Sequence, residues 1–176
     1  MGNLERGKRI ELSASAWKAE VLPLYEPRIN NFMYITYLDL PNIPEDLVES
    51  IEDILNKPRY ESIVKHDFFQ TRPINKNLQD WLEKNIPYDF SVRYQIIYPG
   101  LSIHKDMGNR KLAYNYLLSL GGNNVRTMIF DDSKKLLQSE TLPLRTWHSI
   151  KTDMYHGVFG LQPDIPRISL SVTPSI

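Results

Sequence analysis

Hydrophobic and polar positions change rhythm along this chain. Residues 32–38, Phe-Met-Tyr-Ile-Thr-Tyr-Leu, are aromatic and β-branched and read as a strand. After Pro41, the apolar residues Leu47, Val48, Ile51, Ile54 and Leu55 recur at helical spacing, with Glu45, Glu49, Glu52 and Asp53 mostly opposite. Pro44 suits the first position of that helix, and Lys57-Pro58 closes it. A second stripe, Ile74, Leu78, Trp81 and Leu82, predicts a helix over 74–85 that Pro87 ends. Both helices are expected to buttress a sheet.

From about residue 89 the period becomes two. Residues 91–98 alternate around Val92, Tyr94, Ile96 and Tyr98, and residues 111–119 are apolar and aromatic. Gly121-Gly122-Asn123-Asn124 is turn chemistry, with a returning strand at 125–130, and Asp131–Lys135 is a second polar turn. Further strands are expected near 136–142, 145–150, 154–159 and 167–173. Short strands separated by turn signals indicate a β-sandwich or barrel, here with flanking helices. Residues 1–20 read as a polar lead-in, and no repeat or low-complexity tract marks a domain boundary.

Composition narrows the partners. The chain has 176 residues, 41% hydrophobic and 24% charged, enough for one domain with a real core. Lys plus Arg and Asp plus Glu are both 21, so the formal charge is +0, which makes nucleic acid an unlikely partner. Without cysteine there is no disulfide, thiolate metal site or cysteine nucleophile. No apolar run is long enough to cross a bilayer, and no signal-peptide pattern opens the sequence. The expectation is a cytoplasmic protein with no membrane partner.

Candidate chemistry centres on Tyr98-Pro99-Gly100-Leu101-Ser102-Ile103-His104-Lys105-Asp106. On an extended segment His104 and Asp106 share a face, so an imidazole and a carboxylate converge. A second histidine would complete the two-histidine, one-carboxylate set that suits ferrous iron. Two residues compete for that place: His156, and His148 beside Trp147. His66 reads as a surface or packing residue. Downstream, Arg167 and Ser169 share a strand face, and a guanidinium beside a hydroxyl is a natural receptor for a carboxylate. Taken separately, each has a plain structural reading; the ordered set is harder to assign to coincidence.

The order His104-x-Asp106, His156, Arg167-x-Ser169 resembles the HxD…H…RxS pattern of the Fe(II)- and 2-oxoglutarate-dependent dioxygenases, over about residues 90–173. Within that superfamily the look is nearest to the aspartyl/asparaginyl β-hydroxylase-like group. Its metal-loop stretch is similar to Tyr98–Asp106, with the spacing between Ile103 and His104 shortened here. Trp147, Asp153 and His156-Gly157-Val158 resemble its tryptophan strand and distal histidine. That group's Arg-x-His after the metal loop is missing, and Asn115 stands where its histidine would be.

The resemblance implies a mainly β fold with flanking helices, a double-stranded β-helix of the jelly-roll, cupin-like kind. It divides one domain, 1–176, into an N-terminal strand with supporting helices over 1–88 and a β-helix core over 89–176. It implies Fe(II) held by His104, Asp106 and His156, since it puts the distal histidine on the strand just before the arginine strand. It also implies 2-oxoglutarate as co-substrate on Arg167 and Ser169, Asn115 beside its 1-carboxylate, and O2 at the metal. Tyr94 and Tyr98 are candidates to reach the co-substrate, although an aromatic stripe in a β core is commoner, and Trp147 reads as core. The activity implied is hydroxylation of an amino-acid, peptidyl or other small-molecule substrate, with release of succinate and CO2. The competing reading is a non-catalytic β-sandwich or jelly-roll module for binding or assembly. A cupin-like metalloenzyme fits less well, because a cupin usually carries H-x-H and a later Glu.

Overall fold

The computed structural model describes residues 33–62, 65–71, 74–106 and 111–175, all within the unit Met33–Ile176. The expected lead-in over 1–20, and the reach of a single domain back to residue 1, lie outside the described residues.

The strands are β1 Ile35–Tyr37, β2 Arg59–Ser62, β3 Lys65–Thr71, β4 Phe90–Ile97, β5 Leu112–Leu120, β6 Arg126–Phe130, β7 Leu136–Glu140, β8 Trp147–Lys151, β9 Tyr155–Phe159 and β10 Arg167–Pro174. They form a seven-stranded sheet, order β1-β8-β5-β10-β4-β3-β2, and a three-stranded sheet, order β7-β6-β9, with every pairing antiparallel. This is the double-stranded β-helix, mainly β with few helices.

Strand β10 shows how the sequence sorts its faces. Ile168, Leu170 and Val172 join a core with Tyr94, Ile96, Tyr116 and Trp147, packed against Ile54, Leu78 and Leu82 of the helices. Arg167, Ser169, Ser171 and Thr173 alternate with them and so face the other way, yet all four are buried. A polar inner face that is nevertheless buried marks a cavity between the sheets. At one end of it Leu117 and Ile35 of the large sheet pack on Ile129 of the small one and on Leu142. The Gln138 side chain of β7 joins the sheets there: its Oε1 accepts from Tyr34 N at 2.9 Å and Ile35 N at 3.1 Å.

Helix α1 Ile51–Asn56 is shorter than its apolar spacing predicts. Ser50 caps it by accepting from Asp53 N, and the preceding turn Glu45–Leu47 is a separate 3-10 piece. The capping serine restarts the helix and releases Glu49, whose carboxylate meets Lys57 Nζ at 2.8 Å and Tyr94 Oη at 2.5 Å. Helix α2 Lys76–Asn85 agrees with its stripe, capped by Asn75 and burying Leu78 and Leu82.

Strands β2 and β3 are not expected from the sequence. Lys65-His66-Asp67 interrupts any alternation there, but β3 extends the large sheet by pairing Phe68 with Ile97 and Gln70 with Gln95. With β1 on the opposite edge, the segment before residue 89 supplies three strands of the large sheet, not only supports.

Candidate metal centre

Pro99 ends β4 and Gly100 turns the chain with φ +113°, a backbone conformation that favours glycine; a Cβ there would also lie 2.5 Å from Asp67 Oδ2. The returning segment hangs on the ends of β8 and β9. His104 N donates to His156 O at 3.0 Å and His156 N to His104 O at 2.8 Å, while Asp106 N donates to Thr152 O at 2.9 Å. These bonds hold 104–106 extended, so His104 and Asp106 face one side and Lys105 the other. Lys105 Nζ meets Asp132 Oδ1 at 2.6 Å and lies 4.9 Å from the Tyr155 ring centre, clasping the segment from behind.

The three side chains converge. His104 Nε2 is 3.7 Å and His156 Nε2 3.9 Å from the same Asp106 oxygen, Oδ1, and the rings lie 4.4 Å apart between centres. One donor atom from each residue lies within 4.8 Å of the others. His104 Nδ1 faces Ser102 O at 2.8 Å, and His156 Nδ1 faces Met154 O at 2.9 Å. A carbonyl can only accept, so each Nδ1 donates to it, and Nε2 is the ring nitrogen turned towards Asp106. Anchoring the remote nitrogen on a backbone carbonyl is how a ligating imidazole is oriented. The Nε2–Oδ1 separations also fall within twice a metal–ligand bond of about 2.1 Å. Two oriented imidazoles and one carboxylate suit a divalent ion of the ferrous kind, and leave it net positive.

The same cavity is also lined by a buried cation. Arg167 is 4% exposed, and its Nη2 donates to Thr127 Oγ1 at 3.0 Å. Among the described residues no carboxylate forms an ion pair with it. Burial pulls its guanidinium down to about 10, from an ordinary 12.5. Ser169 lies one position further along the same face, with its hydroxyl 3.4 Å from Gln95 Oε1. With His104, Asp106 and His156, the cavity is lined by Asn115, His148, Ser169 and Arg167.

The structure brings His104, Asp106 and His156 into one cluster, and puts Asn115, Arg167 and Ser169 in the same cavity. His148 stands outside the cluster. It is buried on β8, directly across from Asn115 of β5. Tyr98, a candidate to reach the co-substrate, keeps the parity of Tyr94 and Ile96, packs with the helix-side core, and meets Phe69 edge-on at 5.9 Å. It does not line the cavity. Tyr94 is turned the same way, bonded to Glu49. Trp147 is core, with its Nε1 donating to Pro41 O at 3.0 Å. The His66 side chain lies outside the described residues. Gln95, Thr127 and Thr152 escape sequence reading, although the first two are polar residues at inward positions of β4 and β6, the one signal that could have found them. No helix among the described residues is long and apolar enough to cross a membrane.

No family model and no curated protein matches the sequence. Among solved structures, the chain is similar to an oxidoreductase of the 2OG-Fe(II) oxygenase family from Burkholderia pseudomallei, at 10% identity and a TM-score of 0.52, covering 96% of this chain and 93% of that one. Weaker similarities reach IDO from Bacillus thuringiensis (16% identity, TM-score 0.42, 60% and 61% covered) and FeII HppE (10% identity, TM-score 0.40, 76% and 64% covered). Only the first has a TM-score above 0.5, and at its identity it speaks for the fold alone. The chain therefore shares the double-stranded β-helix of that Burkholderia pseudomallei oxidoreductase, and holds between its sheets a His-Asp-His cluster able to take a metal ion.

Proposed function

We propose that this protein is an Fe(II)- and 2-oxoglutarate-dependent dioxygenase that hydroxylates an amino-acid, peptidyl or other small-molecule substrate, releasing succinate and CO2. One observation carries the reading. A buried arginine with no carboxylate partner among the described residues shares a cavity with two histidines and an aspartate poised as metal ligands. A linear dicarboxylate with a 2-oxo group satisfies both ends.

In this reading His104, Asp106 and His156 hold ferrous iron, which with 2-oxoglutarate supplies activation of O2 for C–H hydroxylation. With three donors supplied by the chain, the iron would keep positions for exchangeable ligands. Arg167 and Ser169 receive the distal carboxylate of the co-substrate, and Asn115, which lines the same cavity, would hydrogen-bond its other end. Thr127 orients the guanidinium. Leu101, Ile97, Leu117 and Val158 add apolar wall beside these groups and would help keep water from the reacting atoms.

The test is aerobic incubation of Fe(II)-loaded protein with 2-oxoglutarate. Succinate should form only when Fe(II) and O2 are both present, and should vanish in His104→Ala. Purified protein that retains no stoichiometric iron after loading would instead favour a non-catalytic binding module.

A further inference from the structure

His148 is the buried imidazole that the proposed function leaves without a task. It is 1% exposed and lines the same cavity as Arg167, but its Nε2 has no hydrogen-bond partner among the described residues. Its Nδ1 is only loosely set, 3.4 Å from Thr146 O, where the two candidate ligands sit at 2.8 and 2.9 Å from their carbonyls. Across the strand register stands Asn115, 6% exposed, whose Oδ1 is also without a partner, and beyond it Ser171, whose buried hydroxyl has none. A row of buried polar atoms with nothing to bond is costly. Two of these residues, His148 and Asn115, line the cavity that Arg167 also lines, so a ligand there can relieve the cost.

The charges nearby decide what kind of ligand. Arg167 of β10 shares the cavity, as do Asp106 and His104 of the metal segment and His156 of β9; β1 sets Tyr37 opposite His148 in the register, and Asn115 and Ser171 are neutral. Before a ligand enters, burial first and the Arg167 charge second push the imidazole down to about 4, so it is neutral. An anion seated on Arg167 cancels that repulsion and presents acceptor oxygens to a nitrogen that lacks a partner.

We propose that His148 is a positioning residue for the dicarboxylate: its Nε2 takes a proton from solvent as the ligand seats on Arg167, and donates it in a hydrogen bond to the ligand. No covalent bond changes; the proton passes from water to the imidazole lone pair. This rests on the 2-oxoglutarate reading and extends it to proton-coupled binding. The sign follows from linkage. Protonation is favoured in the complex, so affinity rises as pH falls, by about tenfold per unit between the pKa of the complex and that of the free protein.

The experiment is calorimetric titration of the Zn(II)-loaded full chain with 2-oxoglutarate, in buffers of different ionisation enthalpy at pH 6 and pH 8. The wild type is expected to take up close to one proton per ligand at pH 6, and to bind at least tenfold more weakly at pH 8. His148→Asn is expected to take up none and to lose the pH dependence. Imidazole 15N shifts of wild-type protein serve as a second readout that needs no variant: one ring should change from neutral to doubly protonated on addition of 2-oxoglutarate. Binding without proton uptake, uptake that persists in His148→Asn, or no ring changing protonation overturns the proposal. Absence of any 2-oxoglutarate binding by the wild type at either pH overturns instead the function on which it rests.

Discussion

His104 and His156 exchange backbone hydrogen bonds in both directions, at 3.0 and 2.8 Å, although one follows the turn after β4 and the other sits in β9. That isolated bridge sets two imidazoles side by side, and Asp106, hung on Thr152, completes the set. Backbone pairing therefore positions the donors, and side-chain contacts only orient the rings. The cluster is thus tied into the fold by backbone bonds of its own segment and of β9.

Arg167 separates stability from binding. Among the described residues its buried guanidinium has one hydroxyl partner and no carboxylate, a state in which desolvation outweighs what the single hydrogen bond returns. Arg167→Met should leave the ligand-free protein as stable as the wild type or more so, by up to about 1–2 kcal/mol. The same variant should weaken 2-oxoglutarate binding at least about 100-fold, as loss of a buried charge-assisted contact does, with iron binding kept. Denaturant melts and parallel metal and ligand titrations check both halves.

His148 predicts an acid limb to the stability of the ligand-free protein. Its folded-state value is about 4 against an ordinary 6.5, so the fold favours the neutral ring. Stability from this group is complete above pH 6.5 and is lost as pH falls towards 4, because the unfolded chain takes the proton first. The full change is on the order of 3 kcal/mol. Chemical denaturation between pH 4 and pH 7 should show this slope, and His148→Gln should flatten it.

Gln138 holds β1 to the small sheet with one side chain. Its Oε1 accepts from two backbone amides and its Nε2 donates to Ile35 O at 3.3 Å. Gln138→Leu leaves Tyr34 N and Ile35 N without their acceptor and should cost about 1–3 kcal/mol. Hydrogen exchange of those two amides should speed up, while the amides of β4 and β10 stay protected.

Gly121 lies where β5 leaves the large sheet, with φ +82°, and a Cβ there would sit 2.8 Å from the backbone nitrogen of Arg167. Gly121→Ala therefore combines a left-handed backbone with a clash on β10. A loss of about 1–3 kcal/mol is expected in thermal or denaturant unfolding, with weaker carboxylate binding as Arg167 shifts.

Much of this arrangement is legible in the chain because a period of two carries both the core and the chemistry. His104 with Asp106, and Arg167 with Ser169, share faces for the same reason that Ile168 and Leu170 share the opposite one. Followed strictly, that period also puts Tyr98 with Tyr94 and Ile96, away from the cavity. The distal histidine is different. His148 and His156 both sit on strands, and only the bridge to His104 separates the one in the cluster from the one on the wall. Strand β3 is hidden because pairing with β4, not its own charged sequence, makes it a strand. Thr127 is hidden because its role depends on reaching Arg167 from the other sheet. The break before α1 lies in a serine cap within an otherwise continuous apolar stripe.

The central claim is that the metal cluster and Arg167 serve one ligand. Anaerobic calorimetric titration of the Fe(II)-loaded protein with 2-oxoglutarate tests it most directly. One molecule bound per iron is predicted for the wild type, with binding lost in Arg167→Met although iron remains, and lost in His104→Ala together with the iron. Wild-type protein that holds iron and binds no 2-oxoglutarate, or an Arg167→Met variant that binds it as tightly as the wild type, would contradict the claim.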